Sequence, residues 1–189
     1  MFEAFAVSTG VVALGEIGDK TQLLALLLAA RWRQPWPIIA GILVATLANH
    51  ALAGSLGAWI TTVVDPAWMR WILGGSFIAV ALWMLVPDEV QASQDQGPGR
   101  LGVFGITVIA FFLAEMGDKT QIATVMLAAK YPALPAVVLG TTLGMMIANV
   151  PAVLLGERAV KLVPAQWVHR IAAAVFALLG LAVLAGLGG

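Results

Sequence analysis

The chain has 189 residues, of which 61% are hydrophobic and only 11% charged, with a mean hydropathy of +0.96 and a formal net charge of zero. A soluble core of this size cannot hide so much apolar surface, so lipid is the expected solvent. The balanced charge gives no sign of a nucleic-acid partner, and the lack of cysteine excludes both a disulfide framework and a thiolate metal site.

Six stretches are long enough to cross a bilayer, at roughly 20 residues per ~30 Å of hydrocarbon. The first, Glu3–Ala30, opens on an acidic residue with no basic stretch before it and carries charge at its centre; it is expected to be a retained helix, not a cleaved signal peptide. Trp36–Val64 and Trp68–Val86 follow. Residues 87–100, rich in Gln, Asp, Gly and Pro, read as a solvated linker. Leu101–Ala129, Ala133–Gly156 and Trp167–Leu187 complete the set.

Lys and Arg gather at one side of these spans, as Arg31, Arg33, Arg100, Arg158, Lys161 and Arg170, against Arg70 and Lys130 on the other. By the positive-inside rule the first side is cytoplasmic, so both termini and the loops near Asp65 and Tyr131 are expected outside a plasma (inner) membrane, with the 87–100 linker inside. Asp88, Glu89 and Asp95 in the linker do not alter this, because the rule counts basic residues. Trp32, Trp36, Trp68 and Trp167 fall near span ends, as an aromatic belt requires.

Within the first stretch stands Glu16-Ile17-Gly18-Asp19-Lys20-Thr21-Gln22, and within the fourth Glu115-Met116-Gly117-Asp118-Lys119-Thr120-Gln121. An offset of 99 residues also maps Gly41 on Gly140, Trp68 on Trp167 and Phe77 on Phe176; with a one-residue slip Ala48-Asn49 falls on Ala148-Asn149. Three spans per unit is an odd number, so the second unit must enter the membrane from the opposite side. The predicted fold is an all-α integral membrane protein of six transmembrane helices in two inverted three-helix repeats, residues 1–86 and 101–189.

Carboxylates at bilayer depth cost ~2.5–3.5 kcal/mol each on insertion scales, so the doubled motif reads as an ion or proton site. In a continuous helix Glu16, Asp19 and Gln22 share one face, as do Glu115, Asp118 and Gln121, and the four acids converge near the midplane. Lys20 and Lys119, four residues beyond Glu16 and Glu115, are expected to form internal ion pairs that orient the acids. Gly18 and Gly117, with Gly15, permit close helix approach or a local break. Four negative and two positive charges leave two negative ones, which one divalent cation neutralises.

Oxygen ligands without sulfur favour Mg²⁺, Ca²⁺ or Mn²⁺, and the amides of Gln22, Gln121, Asn49 and Asn149 are candidates to complete the shell. When the metal leaves, crowded carboxylates cannot all remain ionised, so proton and metal compete for one site. His50 faces Val150 in the repeat alignment and is read as a packing residue.

The doubled Glu-x-Gly-Asp-Lys-Thr resembles the signature of the GDT-type cation/proton exchangers, which include bacterial MneA-type manganese exporters and the eukaryotic Golgi manganese and calcium transporters. The resemblance spans essentially the whole chain. It implies that Glu16, Asp19, Glu115 and Asp118 bind the transported ion, that Thr21 and Thr120 fill the motif's hydroxyl position, and that Mn²⁺, with Ca²⁺ also carried by some members, leaves the cytoplasm in exchange for protons. No resident cofactor is expected, and monomer and homodimer stay open.

Other readings compete. Structural Glu–Lys staples need one acid per copy, not two. An intramembrane aspartyl protease also sets acids beside a Gly-Asp pair, but the Gly-x-Gly-Asp form is absent, and a Glu and a Lys accompany each Asp. A passive cation channel could line its pore with the same carboxylates, and would differ in its response to an imposed pH gradient.

Overall fold

The computed structural model describes residues 1–86, 101–156 and 165–186. The linker at 87–100, with Arg100, and the basic residues Arg158 and Lys161 lie outside the described residues. Among the described residues there are eight helices and no strand: α1 (Phe2–Glu16), α2 (Lys20–Trp32), α3 (Pro35–Val63), α4 (Pro66–Trp83), α5 (Gly102–Glu115), α6 (Lys119–Lys130), α7 (Leu134–Leu155) and α8 (Ala165–Leu184). By length and composition α3, α7 and the Trp167–Leu184 part of α8 can each cross a membrane; Ala67–Trp83 and α5 are shorter apolar helices.

The first and fourth stretches are not the single spans read from their apolar length, and the local break that Gly18 and Gly117 permit is made in both. Glu3–Ala30 and Leu101–Ala129 are not continuous helices, because each breaks inside the repeated motif. Ile17 and Met116 leave the helical region (ψ 115° and 120°), and Gly18 and Gly117 take φ of 86° and 77°. Asp19 and Asp118 then start the next helix in extended geometry. The left-handed step costs a residue with a Cβ about 1–2 kcal/mol, and glycine makes it without that penalty. Each break is short: Asp19 N–H donates to Glu16 O at 3.1 Å, and Asp118 N–H to Glu115 O at 3.2 Å.

Helix packing is set by small residues. α1 lies along α7, where a Cβ on Gly140 would stand 2.6 Å from Phe5 O and 3.0 Å from Ser8 Cβ. α5 lies along α3, where a Cβ on Gly41 would stand 2.7 Å from Thr107 Cβ and 3.0 Å from Phe104 O. Phe104 and Thr107 are the residues 99 positions after Phe5 and Ser8. α3 also crosses α6 at Gly57, whose added Cβ would strike Val125 O. α4 and α8 meet at Gly74 and Gly180 and through the rings of Phe77 and Phe176, whose centroids are 6.2 Å apart at 43°.

Two apolar clusters result. One gathers Val11, Phe77, Met84, Leu127, Val137 and Phe176 from α1, α4, α6, α7 and α8; the other gathers Ala25, Ile38, Ile42, Phe111 and Val153 from α2, α3, α5 and α7. Each broken stretch thus places one half in each cluster, with the break between them. Outside, the surface is apolar, and Trp36, Trp68 and Trp167 are 73%, 67% and 62% exposed at the first turns of α3, α4 and α8, where ring and headgroup can meet.

Candidate metal site

The breaks change what the motif side chains can do. Asp19 and Asp118 occupy N-cap positions, yet neither side chain caps its own helix. Their carboxylates turn instead toward the interior, where both are 2% exposed, and Glu16 and Glu115 are fully buried. Carboxylate oxygens of Glu16, Asp19 and Asp118 all lie within 4.8 Å of one another. Hard divalent cations sit roughly 2.0–2.6 Å from their oxygens, so ligands across one ion are at most ~5 Å apart, and this triad can share a single cation. Glu115 is buried close by but stands outside the 4.8 Å set.

The expected Lys20–Glu16 pair is not made. With the helix broken at Gly18 the two residues no longer stand one turn apart on a common face, and Lys20 Nζ lies 3.2 Å from Asp118 Oδ1 in the other half. Lys119, 2% exposed, donates from Nζ to Val86 O at 3.2 Å. The shared helical face predicted for Glu, Asp and Gln is lost for the same reason.

The remaining motif residues hold the acids and the breaks. Thr21 and Thr120 donate to Oε2 of Glu16 and of Glu115, the latter at 3.2 Å. Gly18 N–H donates to Gln22 Oε1 at 2.9 Å and Gly117 N–H to Gln121 Oε1 at 2.7 Å, which satisfies amides that the breaks free from the helical ladder. Gln22 Nε2 reaches across to Ala148 O on α7 at 2.9 Å, and Gln121 Nε2 donates to Asn49 Oδ1 on α3. Asn49 Nδ2 donates to Phe112 O at 3.3 Å; Asn149 Nδ2 donates to Met145 O at 3.0 Å and contacts its Sδ at 2.9 Å. Gly15 gives the close approach expected of it, since a Cβ there would stand 3.0 Å from Met84 Cε and 3.3 Å from Thr120 Cγ2.

Buried acceptors are left over. Glu16 Oε1, Glu115 Oε1, Asp118 Oδ2 and Asn149 Oδ1 have no hydrogen-bond partner among the described residues. Leaving a charged acceptor unmet in such surroundings costs several kcal/mol, and either a cation or a proton bound there can offset it. Sequence reading passed over other buried hydroxyls, among them Ser8, Thr46, Thr107 and Thr142. The first and third stand 99 residues apart, so extending the repeat map to polar positions could have found them.

The sequence matches the profile of the family described as "Divalent cation/proton antiporter GDT1" over residues 4–92 and 103–187. The chain belongs to this family. It is 48% identical over 183 residues, 96% of this chain and 90% of the relative, to the "Putative manganese exporter" of Vibrio cholerae. It is 30% identical to a GDT1-like protein of Synechocystis over 83% of this chain and 84% of that one. A GDT1-like protein of Arabidopsis thaliana is 27% identical over 83% of this chain and 84% of its own length. No solved structure matches the chain. Family membership and the apolar helices make this a multi-pass membrane transporter and not an enzyme.

Proposed function

We propose that the chain exports divalent cations, Mn²⁺ first and Ca²⁺ second, from the cytoplasm in exchange for protons. The observation that carries this is the buried triad of Glu16, Asp19 and Asp118, its oxygens within 4.8 Å, with Lys20 on Asp118. Glu115 completes the acid set. One divalent ion balances the charge the lysines leave over, and a proton binds the same oxygens, so the two exchange. Manganese is preferred because the Vibrio cholerae relative is named for it.

The site lies between two inverted three-helix halves in six spans. The paired contacts Gly41–Thr107 and Gly140–Ser8 support that symmetry, as does the meeting of Phe77 with Phe176. The surplus of Lys and Arg on one side supports termini outside the plasma (inner) membrane.

Inverted vesicles with Mn²⁺, Ca²⁺, Mg²⁺ and Zn²⁺ in competition, under an imposed pH gradient at zero membrane potential, test this reading. Mn²⁺ uptake should follow the gradient and carry protons the other way. Mn²⁺ flux indifferent to the gradient would make the chain a channel.

A further inference from the structure

Gln22, Asn49, Gln121 and Asn149 are four amides on the motif helices and the helices packed against them, and a hard cation can be ligated only by the oxygen of each. Backbone groups fix which way every amide points. Gly18 and Gly117 offer N–H donors, so the atoms of Gln22 and Gln121 that meet them must be oxygens. Phe112 O and Met145 O are acceptors, so the atoms of Asn49 and Asn149 that meet them must be nitrogens.

With orientation settled, the oxygens are not equivalent. Those of Gln22 and Gln121 already hold the N–H groups freed by the helix breaks, and drawing either onto a metal would break that bond. The oxygen of Asn49 accepts Gln121 Nε2. The oxygen of Asn149 is buried and has no partner.

We propose that the amides divide their labour. Gln22, Gln121 and Asn49 are positioning residues forming two staples, Gln22 to Ala148 and Gln121 to Asn49, each of which ties a broken helix of one half to the second helix of the other. Asn149 alone gives an amide oxygen to the transported cation. The staples set the angle at which each Asp enters the site, and so act on turnover for every ion alike. The ligand acts on affinity and on the choice between ions. This division rests on the cation-site reading above.

The test uses the full chain in proteoliposomes, with Mn²⁺ and Ca²⁺ as probes, beside its thermal melting in detergent without metal. Gln121→Leu and Asn49→Leu should each lower maximal transport about tenfold, the cost of one buried polar group left unpaired. Both ions should fall equally with KM unchanged, and the double variant should be no worse than either single one. Both variants should also melt lower in metal-free detergent, again without additivity, a readout that survives even if neither ion proves to be the substrate. Asn149→Leu should raise KM and shift the Mn²⁺/Ca²⁺ ratio, and Asn149→Asp, which keeps an oxygen in place, should restore binding. If Gln121→Leu fails to reach the membrane, Gln121→Glu serves, since it keeps the acceptor for Gly117 N–H and loses the donor to Asn49. A shifted ion ratio in the Gln121 or Asn49 variants, additive melting losses, or an unchanged KM in Asn149→Leu would overturn the proposal.

Discussion

Lys20 and Asp118 sit in unequal surroundings, with side chains 28% and 2% exposed, so losing one is not like losing the other. Lys20→Met strands a buried carboxylate among its like-charged neighbours and should destabilise the fold by about 3–5 kcal/mol, measured by denaturant titration in detergent. Asp118→Asn relieves that crowding, and the protein should stay folded while vesicle transport falls at least tenfold. Asp19→Asn should do the same, and the double variant should be little worse, because one shared ion needs both; half activity in each single variant would mean two independent sites. Gly117 has open space around it, so Gly117→Ala isolates the conformational penalty of its positive φ and should cost about 1–2 kcal/mol, with Gly117→Asn costing less. At the ends of α1 and α6 remote from the motif, Tyr131 donates its hydroxyl to Glu3 Oε1 at 3.1 Å. Burial first, then the bond to Glu3 and its charge, push the phenol up to about 12. The phenol's contribution is therefore whole below its ordinary value near 10 and fades only as pH rises through about 12. Tyr131→Phe should lose about 1 kcal/mol or less, equally at pH 6 and pH 9.

Among the helices, glycine has two opposite uses, and substitution separates them. Gly140→Val drives a side chain into the backbone of α1 at Phe5 and should cost about 1–3 kcal/mol by forcing α1 from α7. Gly10, with nothing within 4 Å of its added Cβ, should tolerate Ala and gain up to ~1 kcal/mol of helix propensity. Melting curves of the two variants check both. This is also where the limit of sequence reading lies. Hydropathy and the polar junctions set the outlines of α3, α4, α7 and α8 to within a few residues, because apolar length is a property of the chain itself. They run straight through Gly18 and Gly117, since an apolar run is equally apolar whether its backbone is helical or turned. The motif acids could be named from sequence because buried charge must be compensated wherever the helix goes. Their partners could not, since the Lys20–Asp118 pair and the Gln22–Ala148 bond exist only after the two halves have met.

At the scale of the whole molecule, the orientation drawn from basic residues can be checked at exposed positions that the helices frame. Cysteines introduced singly at Ala67, at the start of α4, and at Gln34, between α2 and α3, are unambiguous because the chain has none of its own. An impermeant thiol reagent added to intact cells should label the first and spare the second; the reverse pattern would invert the topology. The ion pair across the halves also bears on how the protein is made. Lys20 is made 98 residues before Asp118, so it enters the membrane ahead of its counter-charge. At ~5–20 residues per second the wait is on the order of ten seconds. During that interval the newborn half is an unfinished client, exposed to insertion factors and quality-control proteases. A nascent chain arrested before Asp118 should be cleared from the membrane faster than one arrested just beyond α7, and that difference would make the pair a checkpoint on biogenesis as well as a part of the finished machine.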